Sequence, residues 1–414
     1  MKKTIITVGM VVFLSTAIFG QTMHSFESSH YIVRSEVGEE HAKNTAEMME
    51  AYFDLFQSYL HFDAEALTTP LKVKIFERKA DYDSYVESLI EETRDSFVFL
   101  HYENSPEKSE LVAFSTDDEE LFSKRIVHHG FIQYIKRFVA HPPLWLQKGF
   151  AVYFEKSIYN EAKKSVSFRH NYGWVPYLRS RLSEKDERLD LIPLNTLLYI
   201  DEDMANRNLK PFYAQAWGMV EFMAHSESKA YNRLLWDSIS ALSPSATTRE
   251  NERSVVRNAF EWVNREPLVS DFMRYVKNIK TFPDRIDLGM ESYSMGNYDE
   301  AESHFQAALE LNEEHYVPHY YLGLIYYEKG EYSMAEYYYQ TALKSGGNEA
   351  LIHYALGVNA FADRRFEDAR YYLGESKDAD STYGEKADRL IERIDNADGP
   401  GESGSGSSGS SGGM

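Results

Sequence analysis

The 414-residue sequence contains no cysteine. That excludes disulfide bonds, thiol catalysis, thiolate metal ligands and acylation at a lipoprotein-type cysteine, so the fold must rest on ordinary apolar cores. Basic charge is also scarce. Lys and Arg number 44 against 65 Asp and Glu, a formal net charge of −21. A nucleic-acid partner is therefore not expected, because the phosphate backbone is gripped by clustered cations. After the first twenty residues no apolar run reaches the roughly eighteen residues of a membrane-spanning helix. The chain also lacks a Walker loop, a Gly-x-Gly-x-x-Gly turn and a Gly-x-Ser-x-Gly nucleophile elbow, which removes the commonest phosphate cradles and serine-hydrolase chemistry.

What is present begins with MKK, a short cationic stretch, followed by the apolar TIITVGMVVFLSTAIF and then Gly20. This order predicts a secretory signal over residues 1–20, cleaved rather than kept as an anchor. The expected location is outside the cytoplasm, in the periplasm, in the cell envelope or secreted, with no membrane span after cleavage. Apolar residues make up 43% of the chain, enough at this length for two or three cores.

The strongest regularity lies near the C-terminus. Gly289, Gly323 and Gly357 recur every 34 residues, as do Tyr298, Tyr332 and Phe366, and Ala301, Ala335 and Ala369. Each unit carries a Leu-Gly pair on a first helix, a short turn (MGNY, KGEY, DRRF), and a second helix with Phe305, Tyr339 or Leu373. A 34-residue period with small residues where helices cross resembles the tetratricopeptide repeat. Three repeats are expected over residues 282–383, a capping helix over 384–397, and a disordered Gly/Ser-rich tail over 398–414.

Residues 26–280 show no repeat. SSHYIVRSE and LKVKIFER alternate as strands, FVFLHY and ELVAFST read as two more, and EEHAKNTAEMMEAYFDLFQSYL between the first two has helical apolar spacing. From Glu119 onward the pattern is mostly helical, so a small sheet feeding a helical half is expected.

Two stretches here bear on chemistry: RIVHHGFIQYIKRF (Arg125–Phe138) and PPLWLQKGFAVYFEKS (Pro142–Ser157). Together with their flanking strands they resemble the gluzincin-like (peptidase MA-like) zinc metallopeptidases, in which a helical His-Glu-x-x-His and a Glu in Trp-Leu-x-Glu-Gly hold zinc. The resemblance implies an α+β metallopeptidase-like fold followed by an all-α tetratricopeptide superhelix. It also implies that the active site is degenerate. With His129 as first ligand, the preferred register, Gly130 replaces the general base and Gln133 the second histidine. With His128 first, those positions fall on His129 and Ile132. In either register Lys148 stands where the third, acidic ligand belongs, and an ammonium has no lone pair to give. Glu155 lies seven residues further along its helix, too far to take that place, and a set of His128, His129 and His141 converges poorly. The histidines are read as a partly buried, hydrogen-bonded pair, and Trp145, Phe150, Tyr153 and Phe154 as core. No catalytic residue, metal or cofactor is expected; zinc enters only under the alternative, an atypical zinc metallopeptidase using the surviving histidines.

In the repeats, the family's groove-facing positions fall on Ile286, Met290, Tyr293, Tyr320, Leu324, Tyr327, Tyr354, Val358 and Phe361. This apolar and aromatic lining suits a protein or peptide partner bound as a helix or Pro-rich segment, or equally the chain's own N-terminal domain packed over it. The expected function is therefore a non-catalytic, exported interaction scaffold.

Overall fold

The structure, a computed structural model, describes residues 22–91, 94–182 and 191–398. The expected signal at 1–20, and the expected tail beyond residue 398, lie outside the described residues. The chain divides into two compact units between Lys277 and Asn278.

The first unit opens with β1 (His24–Glu27), β2 (Tyr31–Ser35), α1 (Glu39–Leu60), β3 (Leu71–Phe76), α2 (Lys79–Ile90), β4 (Val98–Leu100) and β5 (Glu110–Phe114). The sheet order is β1-β2-β3-β5-β4, with β2, β3 and β5 parallel and the two edge strands antiparallel. Tyr31, Val33 and Ser35 of β2, like Leu71, Val73 and Ile75 of β3, are buried at alternate positions, as the period of a strand requires. The four strands expected from the sequence are β2 to β5. The edge strand β1 was not expected: its HSFE stretch is largely exposed and has no alternation to reveal it.

Helices follow: α3 (Glu119–Phe138) and α4 (Leu144–Phe154), a hairpin of β6 (Ile158–Asn160) and β7 (Ser165–Ser167), then α5 (Val175–Arg181), α6 (Leu194–Leu198), α7 (Glu202–Arg207), α8 (Leu209–His225), α9 (Lys229–Ser240), α10 (Thr248–Val255) and α11 (Arg265–Asn278). Asp118 caps α3 by accepting from Leu121 N–H at 2.8 Å, and Glu119 and Glu120 occupy its first turn, where the helix dipole favours anions. Rings from α1, α3 and α4 interlock in one core, with Phe56 at 5.2 Å from Phe131 and 5.1 Å from Phe154. Trp145, Phe150, Tyr153 and Phe154 are all buried, in keeping with their reading as core. A Cβ at Gly149 would stand 2.6 Å from the Ala216 carbonyl oxygen, so only glycine lets α4 and α8 approach this closely.

The second unit is a run of consecutive helices in pairs, consistent with tetratricopeptide repeats: α12 (Phe282–Ser294) with α13 (Tyr298–Leu311), α14 (Tyr316–Glu328) with α15 (Tyr332–Lys344), and α16 (Glu349–Ala362) with α17 (Phe366–Ala379). Helix α18 (Gly384–Asp398) follows. The recurrent glycine and the recurrent large residue meet inside each pair. A Cβ on Gly289 would lie 2.8 Å from the Phe305 ring, on Gly323 2.5 Å from Tyr339, and on Gly357 2.7 Å from Leu373. The turns repeat too. Gly296 and Gly330 take left-handed φ values of 77° and 75°, and Arg364 holds the equivalent position at 61°.

Candidate functional site

Helix α3 presents different residues to different neighbours because successive positions rotate by about 100°. His129, Ile132 and Lys136 line a cavity of about 380 Å³ in the first unit, completed by Lys148 and Gln147 of α4, Glu202 of α7 and Tyr213 of α8. Gly130 and Gln133 face elsewhere. A Cβ on Gly130 would meet Met49 Cε of α1 at 2.9 Å, and the buried Gln133 donates from Nε2 to the Lys72 carbonyl of β3 at 2.8 Å. The register headed by His129 therefore points its second and third residues away from the cavity. In the register headed by His128, the second and third residues, His129 and Ile132, are on the lining, while His128 itself is not. The helical rotation alone could not choose between the two, because both orders are legal until the packing partner of α3 is known.

Glu155 does not line the cavity; it sits where α3 crosses the C-terminal end of α4. His128 Nδ1 lies 2.7 Å from Glu155 Oε1, while Asn171 Nδ2 donates to Oε2 at 3.2 Å and Lys124 Nζ stands 3.5 Å from it. His141 is elsewhere, beside Glu103 at 3.8 Å. Arg125 lies over the Phe97 and Phe114 rings, so its charge is spent on packing.

The cavity is cationic. Lys148 and His129 make no hydrogen bond or ion pair with any described residue, and His101 Nε2 is buried without a partner. Burial pushes the Lys148 ammonium down to about 8, with Lys136 adding to the effect and Glu202 opposing it. Burial also holds His129 well below the usual imidazole range, reinforced by His128, Lys148 and Arg125. At His128 burial lowers the pKa and the Glu155 carboxylate partly restores it. The donor set does not fit zinc. Lys148, together with Gln133 in one register or Ile132 in the other, occupies two of the three positions that the resemblance gives to ligands, and hydrolysis needs three ligands plus an open position.

The tetratricopeptide repeat family matches residues 286–350. A family described as "Protein of unknown function (DUF1570)" matches residues 129–244, a span that begins at His129 and includes Lys148 and Tyr213. No curated protein matches the chain.

In the repeats, the groove-position residues lie on the first helix of each pair. Met290 is exposed; Ile286, Tyr293, Tyr320, Leu324, Tyr327, Tyr354, Val358 and Phe361 are partly buried. Their bodies rest on the repeat cores while part of each surface stays open, as with Tyr320, Leu324 and Tyr327 against Tyr339 and Leu356. Tetratricopeptide repeats suggest a protein–protein interaction role, carried by such half-covered aromatic surface. Sequence reasoning did not find the cavity residues Lys136, Glu202 and Tyr213, which come from three separate helices and share no motif.

Proposed function

We propose that the chain is an exported, catalytically silent peptidase-like protein that works as an interaction scaffold. Its cavity receives an anionic group of a protein partner, and the repeat groove takes a second, apolar segment. The carrying observation is Lys148: a partly buried ammonium on the cavity wall that makes no hydrogen bond or ion pair with a described residue, although the Glu202 carboxylate shares the lining. Such a group is costly unless a bound anion completes it. An acidic residue here would bind metal; a lysine in its place reverses the charge that the cavity selects.

The test uses the purified full chain. Fluorescence anisotropy should detect binding of peptides with an acidic side chain or free C-terminal carboxylate. Lys148→Met should weaken it about tenfold or more, the worth of one charge-assisted hydrogen bond. Leu324→Glu should leave that binding intact and abolish capture by an apolar helical peptide. Cleavage of a broad peptide set, lost in His129→Ala, would overturn the silent-site reading.

A further inference from the structure

None of His170, Glu221 and His225 lines the cavity described above, yet each brings a ligand-type atom within 4.8 Å of the other two. Glu221 and His225 are four residues apart on α8, so one turn places them on a common face. His170 reaches them from the segment after β7, its ring centroid 4.6 Å from that of His225. The Glu221 carboxylate is fully buried. Its Oε1 lies 2.8 Å from His170 Nδ1 and accepts from the Tyr275 hydroxyl at 3.3 Å. Its Oε2 is buried with no hydrogen-bond partner. A buried carboxyl oxygen without a hydrogen-bond partner is uncommon in folded proteins and calls for a ligand.

We infer that His170, Glu221 and His225 hold a divalent transition-metal ion of the zinc class. Two imidazoles and one carboxylate, without thiolate, suit zinc, cobalt(II) or nickel(II); calcium and magnesium prefer all-oxygen shells. Ligand bonds of about 2.0–2.2 Å place neighbouring donor atoms about 3.3 Å apart around a tetrahedral ion. Closing from 4.8 Å requires only side-chain rotation, which the exposed His225 permits. Outer partners are already in place. The Tyr153 hydroxyl lies 2.7 Å from His225 Nε2, and Tyr172 stacks on His170 at 4.8 Å. Such groups orient ligand side chains and tune their basicity. The exposure of His225 leaves an entry path and room for water as fourth ligand. This site stands apart from the proposed silent cavity, and either reading survives failure of the other.

The experiment titrates metal-stripped full chain with Zn2+ by calorimetry and with Co2+ by its ligand-field absorption. One equivalent should bind. His225→Ala, at an exposed position, and His170→Ala should each weaken binding by at least about 100-fold, beyond the usual loss for an outer partner. His129→Ala should leave it unchanged. Should His170→Ala not fold, Glu221→Gln, which keeps side-chain size, is read by the same Co2+ spectrum. Absence of saturable uptake, or equal uptake in the His225→Ala chain, would overturn the assignment; so would uptake that disappears in His129→Ala.

Discussion

His128 and Glu155 are joined at 2.7 Å, imidazole to carboxylate, across the crossing of α3 and the end of α4. The pair ties the cavity-lining helix to its neighbour, and His129 is the imidazole that faces the cavity.

The first prediction concerns pH. Burial lowers the pKa of His128 and His129, so the unfolded chain binds protons that the folded chain refuses. Stability from these groups is complete above pH 6.5, their ordinary pKa, and is lost as pH falls below it. His129→Gln should flatten that loss by on the order of 1 kcal/mol between about pH 7 and pH 5. His41 and His101, lowered by burial in the same direction, supply part of the remaining slope. Urea denaturation at each pH measures it, and an unchanged slope would mean that the His129 ring titrates freely.

Lys148 acts with the same sign in a more alkaline window. Its pKa is pushed down to about 8 from 10.5, so the folded chain gains stability as pH rises between those values. Lys148→Met should stabilise the protein at neutral pH by on the order of 1–3 kcal/mol and remove the alkaline gain. Thermal denaturation of both chains at neutral and alkaline pH decides the matter. A destabilised Met variant would show that Lys148 is satisfied within the folded chain.

The repeats predict a contrast between two glycines. Gly323→Ala drives a methyl group into the Tyr339 ring and should cost about 1–3 kcal/mol through overpacking. Gly374→Ala, with nothing within 4 Å of the added carbon on α17, should be neutral or stabilise by up to about 1 kcal/mol through helix propensity. Equal effects in denaturant titrations would contradict the close crossing of α14 and α15.

Arg364 occupies the left-handed position that Gly296 and Gly330 hold in the preceding turns. Arg364→Gly should therefore stabilise the third repeat by about 0.5–1 kcal/mol, the relief of a Cβ clash net of the entropy glycine loses. The reverse change, Gly330→Arg, should destabilise by a similar amount. Hydrogen-exchange protection of α16 and α17 reports the first, and of α14 and α15 the second.

Much of this was legible in the chain. The 34-residue recurrence marks which glycine meets which large residue, because a helix pair repeated at a constant period repeats its contacts. The strands β2 to β5 were visible through alternation or apolar runs. The short exposed β1 was not, since its residues face solvent and depend on β2 for pairing. At the cavity, the sequence identified His129 and Lys148, while the pairing of Glu155 with His128 could not be read from positions along either helix. The trio His170, Glu221 and His225 carried little local signal, because only the i, i+4 pair Glu221 and His225 is close in sequence and 51 residues separate His170 from Glu221.

By itself, then, the sequence determined what periodicity and composition can encode: the repeats, the absence of thiol chemistry, and the order of a small sheet before helices. Tertiary structure alone decided which face of α3 meets a cavity, that Glu155 belongs to His128, and that three distant side chains gather around an unsatisfied carboxylate oxygen. The physical reason is the range of the interactions. Hydrophobic periodicity is written within a few turns of chain, whereas the rotation of a helix and the meeting of donor atoms follow from how separate elements pack.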